Sequence, residues 1–207
     1  MAALGDKVVL SGGRRGGAAN TSWVWDGSAW QALDGGGPTA REDAVMAPLG
    51  DKLVIFGGSD LTRDEIGIPT LSDTWTWDGE AWTRLNVTGP SERMGAAMAP
   101  LDGKLVLFGG IHYPRSSGST MAVPLADTWT WDGATWTQRN VAGPSARSWA
   151  SMAPVAGKIV LFGGVTFGGD PIHPLQLSDT WVWDGTAWAE VDVSGPAARQ
   201  NAAMAGP

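Results

Sequence analysis

The sequence predicts an all-β chain built from four copies of one four-stranded antiparallel unit. Three observations carry that prediction. The octet WxWDGxxW stands at 23–30, 75–82, 129–136 and 181–188, with spacings of 52, 54 and 52 residues. An apolar run closing on a double glycine recurs in the same phase: VVLSGG ends at Gly13, LVIFGG at Gly58, LVLFGG at Gly110 and IVLFGG at Gly164. A Gly-Pro-x-x-Arg segment then leads into small residues, and its arginines, Arg41, Arg93, Arg147 and Arg199, keep the same spacings.

Each element of the unit has a physical reason. The first strand is rich in small residues, as in RMGAAM at 93–98, and the second is the apolar run before the double glycine. The third reads Asp-Thr-Trp-x-Trp in three of the four units, and the fourth opens at the last Trp of the octet. Asp-Gly inside every octet supplies the left-handed residues that a tight hairpin needs between the third and fourth strands. The segments GDK at 5–7 and 50–52, DGK at 102–104 and AGK at 156–158 turn the first strand into the second.

Self-similarity at about 50 residues marks a propeller or a solenoid, and four antiparallel strands make one propeller blade. First strands converge on the propeller axis, where Ala and Gly let neighbouring sheets approach. Outer strands fill a widening gap, which suits Trp. The expected division is a single domain over 1–207. Its first blade takes strands from 7–35 plus 199–205, and the others span 41–87, 93–141 and 147–193.

The double glycine after an apolar strand, the aromatic-x-aromatic third strand, the Trp opening the fourth and the Arg before the first resemble the kelch-repeat β-propeller family over essentially the whole chain. Ser11 departs from the pattern, standing where the other units have Phe56, Phe108 and Phe162, and the connection 14–22 is shorter than its counterparts. The resemblance implies a ring closed by a terminal strand. Kelch-like rings as a family more often have six or seven blades. Galactose-oxidase-like members of the wider group use copper with a Cys-modified Tyr; a chain with no Cys and only Tyr113 is not built for that chemistry.

Composition narrows the function classes. Charged residues are 17% of the chain and the net charge is -7, with no Lys/Arg run to follow a phosphate backbone, so neither nucleic acid nor an anionic membrane is an expected partner. No stretch approaches the roughly 18–20 apolar residues of a membrane-spanning helix. The opening MAALGDKVVL has neither the basic region nor the cleavage site of a secretory leader. Absence of Cys removes disulfides and thiolate metal sites but fits either redox compartment, so localisation stays open.

Residues 1–7 repeat 46–52, so the chain opens in the tail of a first strand, and 199–204 repeat the start of one. Three outcomes fit: closure of the chain on itself as four blades, a homodimer by strand exchange forming eight, or a segment of a longer array.

Binding is expected on the face that carries the connections between second and third strands, 14–22, 59–74, 111–128 and 165–180, which differ completely among the units. Just after each repeated Arg the sequence also varies: Glu42-Asp43, Met94-Gly95, Ser148-Trp149 and Gln200-Asn201 stand near the expected channel mouth. Arg41, Arg93, Arg147 and Arg199 fit either structural bonds to backbone and to Asp73, Asp127 and Asp179, or a ring of anchors for an anionic ligand. Trp149 is the one Trp outside the repeat. His112, Tyr113 and His173 fall in variable loops, with Arg115 and Asp170 close in sequence, which keeps an acid/base or metal role open. No nucleophile elbow, phosphate loop or HExxH motif is present.

These features lead to a non-catalytic scaffold that presents the loop face, with Arg41, Glu42, Asp43, Arg93, Arg147, Trp149, Arg199, Asn201, His112, Tyr113 and His173 as candidate ligand contacts. The partner is a protein, peptide or glycan, with no cofactor and no metal. The alternatives are a sugar-processing or lyase-type enzyme with a polar site at the channel mouth, and a structural segment of a larger surface or secreted repeat protein.

Overall fold

The computed structural model describes residues 1–13, 22–33, 35–60, 68–114, 121–167 and 173–206, and among them every regular element is a strand. Four four-stranded antiparallel sheets follow one another along the chain. Blade 1 comprises β1 (Ala2–Leu4), β2 (Lys7–Leu10), β3 (Ser22–Trp25) and β4 (Trp30–Leu33). The short strand β5 (Arg41–Glu42) precedes blade 2, formed by β6 (Val45–Leu49), β7 (Lys52–Phe56), β9 (Thr74–Trp77) and β10 (Trp82–Leu85), while β8 (Ser59–Asp60) pairs back onto β5. Blade 3 holds β11 (Ala97–Leu101), β12 (Lys104–Phe108), β15 (Thr128–Trp131) and β16 (Trp136–Arg139), with a ribbon of β13 (Ile111–His112) and β14 (Val123–Pro124) on its loop face. Blade 4 repeats this with β17 (Ser151–Val155), β18 (Lys158–Phe162), β21 (Thr180–Trp183) and β22 (Trp188–Val191), and the ribbon β19 (Val165–Thr166) with β20 (Leu175–Gln176).

Alternation along each second strand gives every blade two apolar faces. In β7, Leu53 and Ile55 pack toward blade 1 with Val9 and Val24, whereas Val54 and Phe56 pack toward blade 3 with Leu105, Leu107, Trp131 and Trp136. In β12, Val106 and Phe108 repeat this toward Ile159, Leu161, Trp183 and Trp188 of blade 4. The core therefore lies between blades. In blades 3 and 4 the Trp that opens the fourth strand reaches back to the preceding blade: Trp136 donates to Thr74 at 3.0 Å and Trp188 to Thr128 at 2.9 Å, with Phe56 and Phe108 at ring-centroid distances of 5.3 and 5.5 Å. Inner strands β6, β11 and β17 are sheet edges, so Pro48, Pro100 and Pro154 remove no ladder bond.

The repeated arginines organise each blade end. Arg93 donates from Nη1 and Nη2 to both carboxylate oxygens of Asp127, at 2.6 and 2.9 Å, and also to the Gly109 and Ser91 carbonyls. Arg41 with Asp73 and Arg147 with Asp179 repeat the fork. Burial opposes charge on these three aspartates, but the guanidinium and an indole N–H from Trp75, Trp129 or Trp181 outweigh it and hold each carboxyl below its ordinary range. Asp26 and Asp184, exposed in their hairpins, are lowered to about 2, first by the backbone N–H groups of Ala29 and Ala187 respectively.

At the first blade the structure differs from the sequence expectation. The place inside β2 is taken by β1, which folds back across the Gly5-Asp6 turn; so local a hairpin has little loop entropy to overcome. Residues 199–206 lie instead against blade 4, where Gly164 N–H donates to Arg199 O, Asn201 N–H to Trp149 O and Ser151 Oγ–H to Ala202 O. Ring closure is not part of the observed structure. Among the described residues no helix is long and apolar enough to cross a membrane.

Candidate functional site

The site grows out of one repeated backbone device. Two residues after each repeated Arg the chain turns left-handed: φ is 55° at Asp43, 63° at Gly95, 52° at Trp149 and 54° at Asn201. These turns link the blades through a ladder at the axis. Gly95 N–H donates to Asp43 O at 2.9 Å, Trp149 N–H to Gly95 O at 2.7 Å and Asn201 N–H to Trp149 O at 3.0 Å.

Ala44, Ala96, Ala150 and Ala202, together with Asp43, Gly95, Trp149, Asn201 and Met1, line an open polar depression of about 310 Å³. The Trp149 indole lies over Gly95, where a Cβ would come within 2.8 Å of Nε1, so only glycine leaves room for it. From there it donates to the Asp43 carboxylate, two repeats earlier at the start of blade 2. Burial pushes the Asp43 carboxyl up and the Glu42 charge adds to this, while the indole bond pulls the other way; the net shift is upward. Asp43 keeps an exposed edge, so the group is accessible.

The remaining expected residues are elsewhere. Arg41, Arg93 and Arg147 are buried, and their guanidinium groups are occupied within the blades. Arg199 is exposed and donates to Ala197 O. Glu42 is half-buried in β5, His112 and Tyr113 are half-buried at the β13 ribbon, and His173 is exposed before β20; none of these lines the depression. Arg115 and Asp170 lie outside the described residues. Among the described residues no cluster of three or more His, Asp or Glu side chains could hold a metal. Sequence reasoning picked out Asp43, Trp149 and Asn201 but not Gly95 as the seat of an indole. Its signal was a glycine at a position where the other three units carry side chains.

The comparisons with known proteins agree with this architecture. No family model matches the chain. It is 30% identical over 105 residues to an N-acetylneuraminate epimerase of Yersinia pestis (strain Pestoides F), covering 46% of this chain and 27% of that one. An F-box/kelch-repeat protein of Arabidopsis thaliana is 24% identical over 204 residues, 87% of this chain and 40% of the relative. Kelch domain-containing protein 1 of Homo sapiens is 35% identical over 94 residues, 44% and 21% respectively. The chain thus spans about a fifth to two fifths of the length of these relatives. The solved structure of YjhT superposes with a TM-score of 0.73 at 16% identity, covering 94% of this chain and 65% of that one. Four four-stranded blades with the double glycine, the Trp-x-Trp strand and the Arg fork are thus similar to kelch-named relatives, and the chain shares the fold of YjhT.

Proposed function

We propose that the chain is a non-catalytic recognition scaffold that takes a polar group of a protein, peptide or glycan partner at the axial mouth, between Asp43, Trp149 and Asn201. One observation carries the reading. The four left-handed positions do the same backbone work, for which glycine is the unstrained choice, yet only one of them is glycine. Trp at φ 52° is the least comfortable of the set and costs on the order of 1–2 kcal/mol. Strain of this kind gathers at functional sites, where side-chain placement outweighs it. An indole face, a carboxylate and an amide suit hydroxyl and ammonium donors.

The test is binding to a glycan array and a peptide array by the chain and by Trp149→Gly, with near-ultraviolet circular dichroism as the folding control. The expected result is a retained fold with binding weakened at least ~10-fold, equivalent to about 1.4 kcal/mol. Equal binding by the two forms refutes the site.

The raised Asp43 carboxyl beside Glu42 favours a second reading, a sugar-processing or lyase-type enzyme with Asp43 as the proton-transfer group. The epimerase name among the relatives points the same way. Sugar turnover that survives Asp43→Asn would remove it.

A further inference from the structure

We propose that the hairpin between β11 and β12 is a spontaneous modification site, where the Asp102 side chain cyclises onto the backbone nitrogen of Gly103 and reopens as isoaspartate. Aspartate followed by glycine favours this chemistry, because a residue without a side chain leaves the attacking amide unhindered. The pair stands at 26, 34, 78, 102, 132 and 184. Asp34 lies outside the described residues. Among the other five, the structure sets Asp102 apart.

Four pairs belong to the repeated hairpins between third and fourth strands, where the carboxylate is tied down. Asp26 Oδ1 accepts from Ser28 N–H and Ala29 N–H, both at 2.9 Å. Asp78 accepts from Glu80 and Ala81 at 3.0 and 2.9 Å, and Asp132 from Ala134 and Thr135 at 2.9 and 2.7 Å. Asp184 accepts from Thr186 and Ala187 at 2.8 and 2.9 Å. These backbone donors, first Ala29, Ala81, Ala134 and Ala187, hold all four carboxyls below their ordinary range. Cyclisation needs the opposite, a neutral acid whose hydroxyl can leave and a carboxyl that can turn toward the next amide.

Asp102 stands in a different turn. Leu101 pairs with Lys104 across it, so Asp102 and Gly103 are the two turn residues, both left-handed with φ of 49° and 71°. Both are exposed, and nothing lies within 4 Å of where a Cβ on Gly103 would stand. Among the described residues, none donates a hydrogen bond to the Asp102 carboxylate. The exposed tip of a two-residue hairpin can open without unpacking a core. The corresponding turns read Gly5-Asp6, Gly50-Asp51 and Ala156-Gly157, so in this place blade 3 alone has aspartate before glycine.

The Gly103 nitrogen attacks Cγ of the protonated carboxyl, the C–OH bond breaks, and the hydroxyl leaves with the amide proton as water. A second water reopens the succinimide. Attack at the side-chain carbonyl restores aspartate, whereas attack at the main-chain carbonyl routes the chain through Cβ and Cγ as isoaspartate. The product adds a backbone carbon between Leu101 and Lys104, in the turn that joins the inner strand of blade 3 to its second strand.

The experiment is incubation of the folded chain at mildly acidic pH, beside a urea-unfolded sample and Asp102→Ala. Isoaspartate is read by enzymatic methyl transfer and located by peptide mapping. Alanine already holds the same left-handed place in blade 4, at Ala156 with φ 49°, so the variant should fold. In the folded chain isoaspartate should form at 102 at least ~10-fold faster than at 26, 78, 132 and 184. The five rates should converge in urea, and Asp102→Ala should lose the signal. Absence of isoaspartate at 102 in the folded chain, under conditions where the unfolded chain forms it, overturns the proposal. So do equal rates at the five positions in the folded chain, or a preference for 102 that persists in urea and therefore belongs to the local sequence rather than to the hairpin.

Discussion

The Arg-Asp fork shows how one motif behaves in two environments. Arg93 is fully enclosed and bidentate to Asp127, so Arg93→Ala leaves a partly buried carboxylate without its partner and should lower unfolding stability by about 3–5 kcal/mol. Arg199, whose exposed side chain donates to the nearby Ala197 O, should tolerate the same change within about 0.5 kcal/mol. Urea unfolding of the two variants reads the contrast. Asp73, Asp127 and Asp179 are held below the ordinary value of 3.8, so their contribution is complete above that pH. It should drain away as pH falls through the lower folded values, and repeating the urea series into acid checks the sign. The arginines recur so regularly that the sequence already offered Asp73, Asp127 and Asp179 as partners. Which of Arg41, Arg93, Arg147 and Arg199 is enclosed depends on the blade beside it, and that no local pattern records.

Strands and hairpins were the most legible level. The alternation in LVIF and LVLF, the Asp-Gly turns and the terminal Trp residues appear in the structure as β7, β12 and their antiparallel partners. The first double-glycine residue shows what the pattern is for. Gly109 has φ +67° and a Cβ there would meet Arg147 O at 2.5 Å, a backbone atom that cannot swing aside. Gly109→Ala should therefore cost at least about 2 kcal/mol, read from a shift in the urea midpoint, by combining left-handed strain with a forced separation of blades 3 and 4. The repeat registers 1–7 against 46–52, but it does not say whether the inner place belongs to the short β1 hairpin or to 199–205. In the structure β1 pairs with β2 at that place.

For the whole molecule the blades behave as a row in which each contacts its neighbours, so stability is shared between blade and junction. Ladder, Trp seat and apolar faces all depend on the rotation between blades. That explains why the sequence could offer Asp43, Trp149 and Asn201 as candidates but not the seat of the indole over Gly95. The three prolines in the inner strands bear on the same geometry. Among the described residues, the backbone bonds between neighbouring inner segments lie at the loop end, at 43, 95, 149 and 201. Deeper along the axis, Pro48, Pro100 and Pro154 offer no N–H to an adjacent strand, so the inner edges cannot zip into a continuous barrel wall. The inner segments are thus tied to one another at the loop end, through the backbone of residues 43, 95, 149 and 201, and not at the three prolines.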